Sequence, residues 1–97
     1  MKTIDQIKAT LASHKKELRE KYKVSEIGVF GSYVRKEQSK KSDVDVLVAF
    51  CETVDLFTFI ELERHLSDIL GVKVDLVMKD GLKPRLRERI LNEAVYV

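Results

Sequence analysis

Two aspartates, Asp43 and Asp45, flank a single valine at the start of the apolar run DVDVLVAF, residues 43 to 50. A third, Asp75, takes an alternate position in a second apolar run, VKVDLVM, residues 72 to 78. Residues two apart on a strand point to the same side, with Cα atoms about 6 to 7 Å apart. Asp43 and Asp45 are therefore expected on one face. If the second run lies beside the first, Asp75 joins them from a backbone about 5 Å away. Two like charges about 5 Å apart repel by roughly 3 kcal/mol at an effective dielectric of about 20. A small domain has only about 5 to 10 kcal/mol of stability in all. Splaying into water, holding a proton or binding a divalent cation would each relieve the repulsion. The cation has a chemical use, since two metal ions about 4 Å apart clamp a phosphoryl group during in-line displacement.

Gly31-Ser32 supplies the other half of such chemistry. It closes the apolar run VSEIGVF, residues 24 to 30. Glycine at a strand end permits a tight turn and close backbone approach. A serine hydroxyl and the amides after it, opening a short helix, form a cradle for an anion. Arg35 follows about one helical turn later and is expected to face the same ligand. A phosphate cradle beside clustered carboxylates reads as a site for a nucleoside triphosphate with magnesium, with two ions expected.

The elements that must hold these residues follow from periodicity. Residues 3 to 22 read as one helix. Thr3 and Gln6 fit a capping box, and Ile4, Ile7, Leu11, Leu18 and Tyr22 form an apolar stripe. Strands are expected at 24–30, 43–50 and 72–78, with a short helix starting at 33 to 38. In the second strand Val44, Val46, Val48 and Phe50 share one face, and Asp43 and Asp45 share the other. Asp55 can cap a helix over 56–70, and Gly71 can end it. Pro84 suits the first turn of a last helix, and residues 94 to 97 suit a short strand. The order is α-β-(short α)-β-α-β-α. The expectation is an α/β fold with a small mixed β-sheet and helices packed on the valine face.

The 97 residues are too few for two cores, so a single domain over 1–97 is expected. The net charge of +2 is too weak to argue for nucleic acid, and basic-aromatic interleaving is missing. The lone Cys51 forms no internal disulfide and fits a reducing cytoplasm. MKTIDQIKATL has no continuous apolar segment, so it is not read as a signal peptide, and no stretch is long enough to span a membrane.

The stretch GSYVRKEQSKKSDVD is Gly-Ser, ten residues, then Asp-x-Asp. It resembles the signature of the DNA polymerase beta nucleotidyltransferase superfamily. The short chain resembles its minimal nucleotidyltransferase branch, the antitoxin partners of HEPN-domain toxins. VKVDLVMKDGLKPRLRERILNEAVYV resembles that family's third strand and last helix, third carboxylate included. The resemblance implies the nucleotidyltransferase fold, with Asp43, Asp45 and Asp75 as metal ligands. It implies that Asp75 also helps to activate the attacking hydroxyl, and that Gly31 and Ser32 hold the phosphates. The implied reaction transfers AMP from ATP to a hydroxyl and releases pyrophosphate. No segment is left over to bind an acceptor, so the acceptor is expected on another molecule. The family points to a tyrosine of a HEPN toxin, in a homo- or hetero-oligomer. Two other readings stand beside it: an antitoxin that acts by contact alone, and nucleotidylation of a small molecule.

Other residues read more simply. His14 and His65 lack companion ligands. Lys36, Lys40 and Lys41 read as a wet loop, and Lys83, Arg85, Arg87 and Arg89 as a solvated helix face. Cys51 reads as a small apolar filler. Leu56, Phe59, Ile60 and Leu66 read as core, with a part available to a partner.

Overall fold

The structure is a computed structural model describing residues 2–97. The chain opens with α1 (Ile4–Ser13), capped as the sequence predicts. Thr3 N donates to Gln6 Oε1 at 2.9 Å, and Gln6 N donates to Thr3 Oγ1 at 3.3 Å. The expected single helix over 3–22 is instead two, since α2 (Lys15–Tyr22) is separate. The break at His14 has a local cause. In a continuous helix the Thr10 carbonyl would accept from the His14 amide. Here Ser13 Oγ donates to that carbonyl at 2.8 Å, and His14 Nδ1 lies 2.9 Å from it. The His14 amide turns to Leu11 O at 3.2 Å. Side-chain competition for one carbonyl thus ends the helix.

Next come β1 (Val24–Phe30), the one-turn α3 (Ser32–Arg35) and β2 (Val44–Phe50). Then α4 (Leu56–Leu70) carries the chain across to β3 (Val74–Met78). A 3-10 turn at Lys79–Gly81 leads into α5 (Pro84–Glu93) and β4 (Val95–Tyr96). The sheet order is β3-β2-β1-β4. β1 pairs antiparallel with β2 and with β4, while β2 and β3 are parallel. The sheet is therefore mixed, as expected. No helix among the described residues is long and apolar enough to cross a membrane.

Alternation along the strands sorts the two faces. Ile27, Val29, Val44, Val46, Val48, Val74 and Leu76 turn to one side and pack with Ile7, Leu11, Leu18, Leu62, Leu66 and Leu70. So α1, α2 and α4 share the valine face. The last helix takes the opposite face, where Ile90 packs on Phe30 and Leu47. Leu47 lies in step with Asp45 on β2, is 1% exposed and needs this cover. The aspartate side is thereby walled by α5 rather than left open.

Helix α4 also fixes the outer strand. Its Ser67 Oγ accepts from Val74 N at 3.0 Å, and its Glu63 Oε2 accepts from Leu76 N at 2.9 Å. Two edge amides are thus satisfied by side chains, which pins β3 and blunts its free edge. The helix start rests on Asp55 Oδ1, which accepts from Thr58 N at 2.7 Å. That hydrogen bond holds the Asp55 carboxyl below its ordinary value. Asp55→Ala is expected to lower the melting temperature by about 3 to 6 °C at neutral pH. The capping contribution is present above the unfolded carboxyl value. It is lost as pH falls through the depressed folded one, so the difference between wild type and variant should close in acid. Thermal melts of both proteins across that range check it. Gly71 ends the helix at φ 68, the left-handed conformation that favours glycine.

Candidate active site

The parallel register places Asp45 and Asp75 opposite each other on β2 and β3. On its other side Asp45 is the register partner of Phe30. Both carboxylates line a cleft of about 380 Å³ on the α5 side of the sheet. Its apolar wall includes Val77, Leu86 and Ile90, and Arg35, Lys83 and Arg89 contribute positive charge around it.

Asp45 is half-buried. Burial, then the charges of Asp75 and Asp43, push its carboxyl up to about 6, while Arg35 pulls the other way. This is the pattern of a carboxylate held near like charges. Asp43 precedes the strand, and its Oδ2 lies 4.0 Å from Lys73 Nζ. It opens on a different cleft, lined by Lys2, Lys40, Lys41 and Lys73. So the fold juxtaposes Asp45 and Asp75, whereas Asp43 acts on Asp45 only through its charge. Among the described residues, no three His, Cys, Asp or Glu side chains converge in metal-binding geometry. The Asp45–Asp75 pair offers two of the oxygen donors that a divalent cation takes.

Gly31 joins β1 to α3 with φ 79 and ψ −153. A Cβ there would overlap Asp45 Oδ2 and lie 2.9 Å from Asp45 Cγ. The turn thus rests directly on the Asp45 carboxylate, and only glycine allows that approach. Ser32 opens α3, and the first amides of a helix have no acceptor within it. Val34 N and Arg35 N both return to Gly31 O at 3.1 Å, which closes the turn.

Arg35 was expected to face phosphates. It borders the cleft, but its guanidinium is engaged by carboxylates: Nη1 donates to Glu93 Oε1 at 2.7 Å and Nε to Glu37 Oε2 at 3.1 Å. Glu93, at the end of α5, is a residue the sequence reading missed. Its Oε2 accepts from Gly31 N at 2.8 Å. Burial raises the Glu93 carboxyl, but the hydrogen bonds from Arg35 and Gly31 outweigh it and leave it below the ordinary value. No sequence signal marked it, because a glutamate at a helix end is ordinary.

The remaining candidates lie elsewhere. His65 Nε2 contacts Glu17 Oε1 at 2.8 Å and joins α4 to α2, away from the carboxylates. Cys51 is exposed just past β2 rather than buried as filler. Leu66 is core, whereas Leu56 and Phe57 at the start of α4 are 69% and 78% exposed.

A carboxylate pair on adjacent parallel strands, with a glycine-serine turn resting on one of them beside a walled cleft, suits nucleotidyl transfer. The nucleotidyltransferase domain family matches residues 11–97, and the chain belongs to that family. It is similar to the protein adenylyltransferase MntA of Thermococcus cleftensis, with 55% identity over 97 residues, all of this chain and 98% of the relative. A solved structure provisionally named a minimal nucleotidyltransferase superposes with a TM-score of 0.81 at 37% identity, covering 97% of this chain and 95% of the other. A toxin–antitoxin crystal structure with AMP-PNP gives 0.71 at 27% identity, covering 87% and 69%. The tri-AMPylated Shewanella oneidensis HEPN toxin in complex with its MNT antitoxin gives 0.67 at 25% identity, covering 93% and 70%.

Proposed function

We propose that this nucleotidyltransferase moves AMP from ATP to a tyrosine hydroxyl of a HEPN-domain toxin and so acts as its antitoxin. The observation that carries the reading is the Asp45–Asp75 register pair, with the Gly31 turn resting on Asp45 beside the same cleft. The likeness to an MntA adenylyltransferase and to an AMPylated toxin complex supports the choice of donor and acceptor.

In this reading Ser32 and the amides that open α3 grip the triphosphate. Arg35, held by Glu93 and Glu37, braces the turn rather than bonding the phosphates. Asp45 and Asp75 would hold magnesium, which would neutralise charge at the reacting phosphate. Asp43 would add a third carboxylate to that set; its contact with Lys73 is exposed and 4.0 Å long. The acceptor oxygen attacks the α-phosphorus, the bond to the bridging oxygen breaks, and pyrophosphate leaves. The hydroxyl proton passes to Asp75, which is exposed and can release it to water. The exposed Leu56 and Phe57 offer apolar surface for a partner chain.

The test is to mix the protein with Mg-ATP and a HEPN-domain toxin from the same source and to weigh that partner by mass spectrometry. Addition of AMP on tyrosine is expected with the wild type. Asp43→Asn should slow it by at least about a hundredfold. An unmodified partner after incubation with the wild type would overturn the proposal. A partner silenced equally well by Asp43→Asn, without modification, would point to neutralisation by contact alone.

A further inference from the structure

Glu93 ties together the two ends of α3. One carboxylate oxygen takes the Gly31 amide at 2.8 Å, and the other takes Arg35 at 2.7 Å. Its side chain is only 15% exposed, against 40% for Arg35. The backbone beneath it is fixed on both sides. Ala94 N donates to Ile90 O at 2.9 Å, and Val97 N donates to Ile27 O at 3.0 Å. Between them β4 pairs Val95 with Val29 and Tyr96 with Gly28. The segment after α5 is thus laced to the strand that ends at Gly31.

We infer that Glu93 is a positioning residue, which holds the Gly31–Ser32 turn at the distance from Asp45 that gripping a triphosphate requires. The inference rests on the proposed nucleotide site and adds a member to it. The Gly31 amide is spent on Glu93, so phosphate contacts fall to Ser32 and the amide that follows. Releasing Glu93 would free the turn at Gly31 and at Arg35 together. The Gly31 backbone lies against the Asp45 carboxylate, so any shift of the turn changes the spacing between cradle and carboxylates. A carboxylate suits this task better than an amide. It accepts from a backbone N–H and a guanidinium at once, and charge strengthens both bonds.

Calorimetric titration with ATP and with AMP, each with magnesium, separates this role from a general loss of structure. Glu93→Gln keeps the volume but lacks the second acceptor oxygen. It should weaken ATP binding by about tenfold. AMP binding, which lacks the gripped phosphates, should stay unchanged, and KM for ATP should rise while KM for the acceptor holds. Should Glu93→Gln fail to fold, Glu93→Asp, which keeps the charge but is one methylene short, is read in the same way. Equal losses for ATP and AMP would overturn the inference, as would unchanged ATP affinity. Tighter ATP binding would also overturn it, by making Glu93 a competitor for the cradle. If the wild type takes up no Mg-ATP, the nucleotide site itself is lost. If the wild type binds and Glu93→Gln binds equally, only the role of Glu93 is lost.

Discussion

Asp45→Asn is expected to abolish nucleotidyl transfer and, at the same time, to make the metal-free protein more stable. The two effects share a cause. Asp45 stands in register with Asp75, and burial with the neighbouring Asp75 and Asp43 charges pushes its carboxyl up to about 6. Its unfolded value is near 4, so the folded protein binds the proton more tightly. The folded state is then progressively penalised as pH rises from about 4 to about 6, and bears the full penalty above that. Fully buried, a shift of this size would be worth about 3 kcal/mol, but the half-exposed group is screened, which leaves about 1 kcal/mol. Asparagine has the same shape and no charge. With EDTA at pH 8 the variant should melt about 4 to 8 °C above the wild type, and the gain should vanish near pH 4. Transfer should fall by about a thousandfold or more, as befits loss of a charge that acts on the reacting phosphate. Magnesium should raise the melting temperature of the wild type and not of the variant. A variant no more stable than the wild type at pH 8 would show that the carboxylates do not oppose one another.

Gly31→Ala should lose both stability and activity. The backbone at φ 79 and ψ −153 lies in a region reserved almost entirely for glycine. Forcing another residue there costs about 1 to 3 kcal/mol. The new Cβ must also displace the Asp45 carboxylate, whose Cγ would be 2.9 Å away. The melting temperature should drop by about 10 °C or more, and transfer should become undetectable. The two contributions separate in a double-variant cycle. Pairing Gly31→Ala with Asp45→Ala removes the overlap and leaves the backbone strain, so part of the stability should return and none of the activity. Strict additivity of the two losses would mean that the turn does not rest on Asp45.

The strands were legible because each has one buried face, and a period of two survives in Val44, Val46 and Val48 and in Val74 and Leu76. The caps of α4 were legible because Asp55 and Gly71 do local work. The pairing of Asp45 with Asp75 was implied by the same alternation. Asp43 was less legible. Its spacing puts it in step with Asp45, but regular strand starts only at Val44, whose amide bonds to Lys73 O at 2.9 Å. Asp43 thus falls in the approach to the strand, beside Lys73. The break at His14 depends on two side chains competing for one carbonyl, and helical periodicity does not register that. The place of α5 on the aspartate face, and Glu93 with it, depends on tertiary packing of Ile90 against Phe30 and Leu47. No local pattern encodes such a contact.

The crossover through α4 decides when the acidic groups first meet. An antiparallel pair such as β1 and β2 can zip from neighbouring chain, whereas parallel β2 and β3 must wait for the intervening helix to dock. Asp75 therefore meets Asp45 only when α4 has brought β3 back beside β2. A repulsion confined to the finished molecule hastens its opening and leaves the route of assembly unhindered.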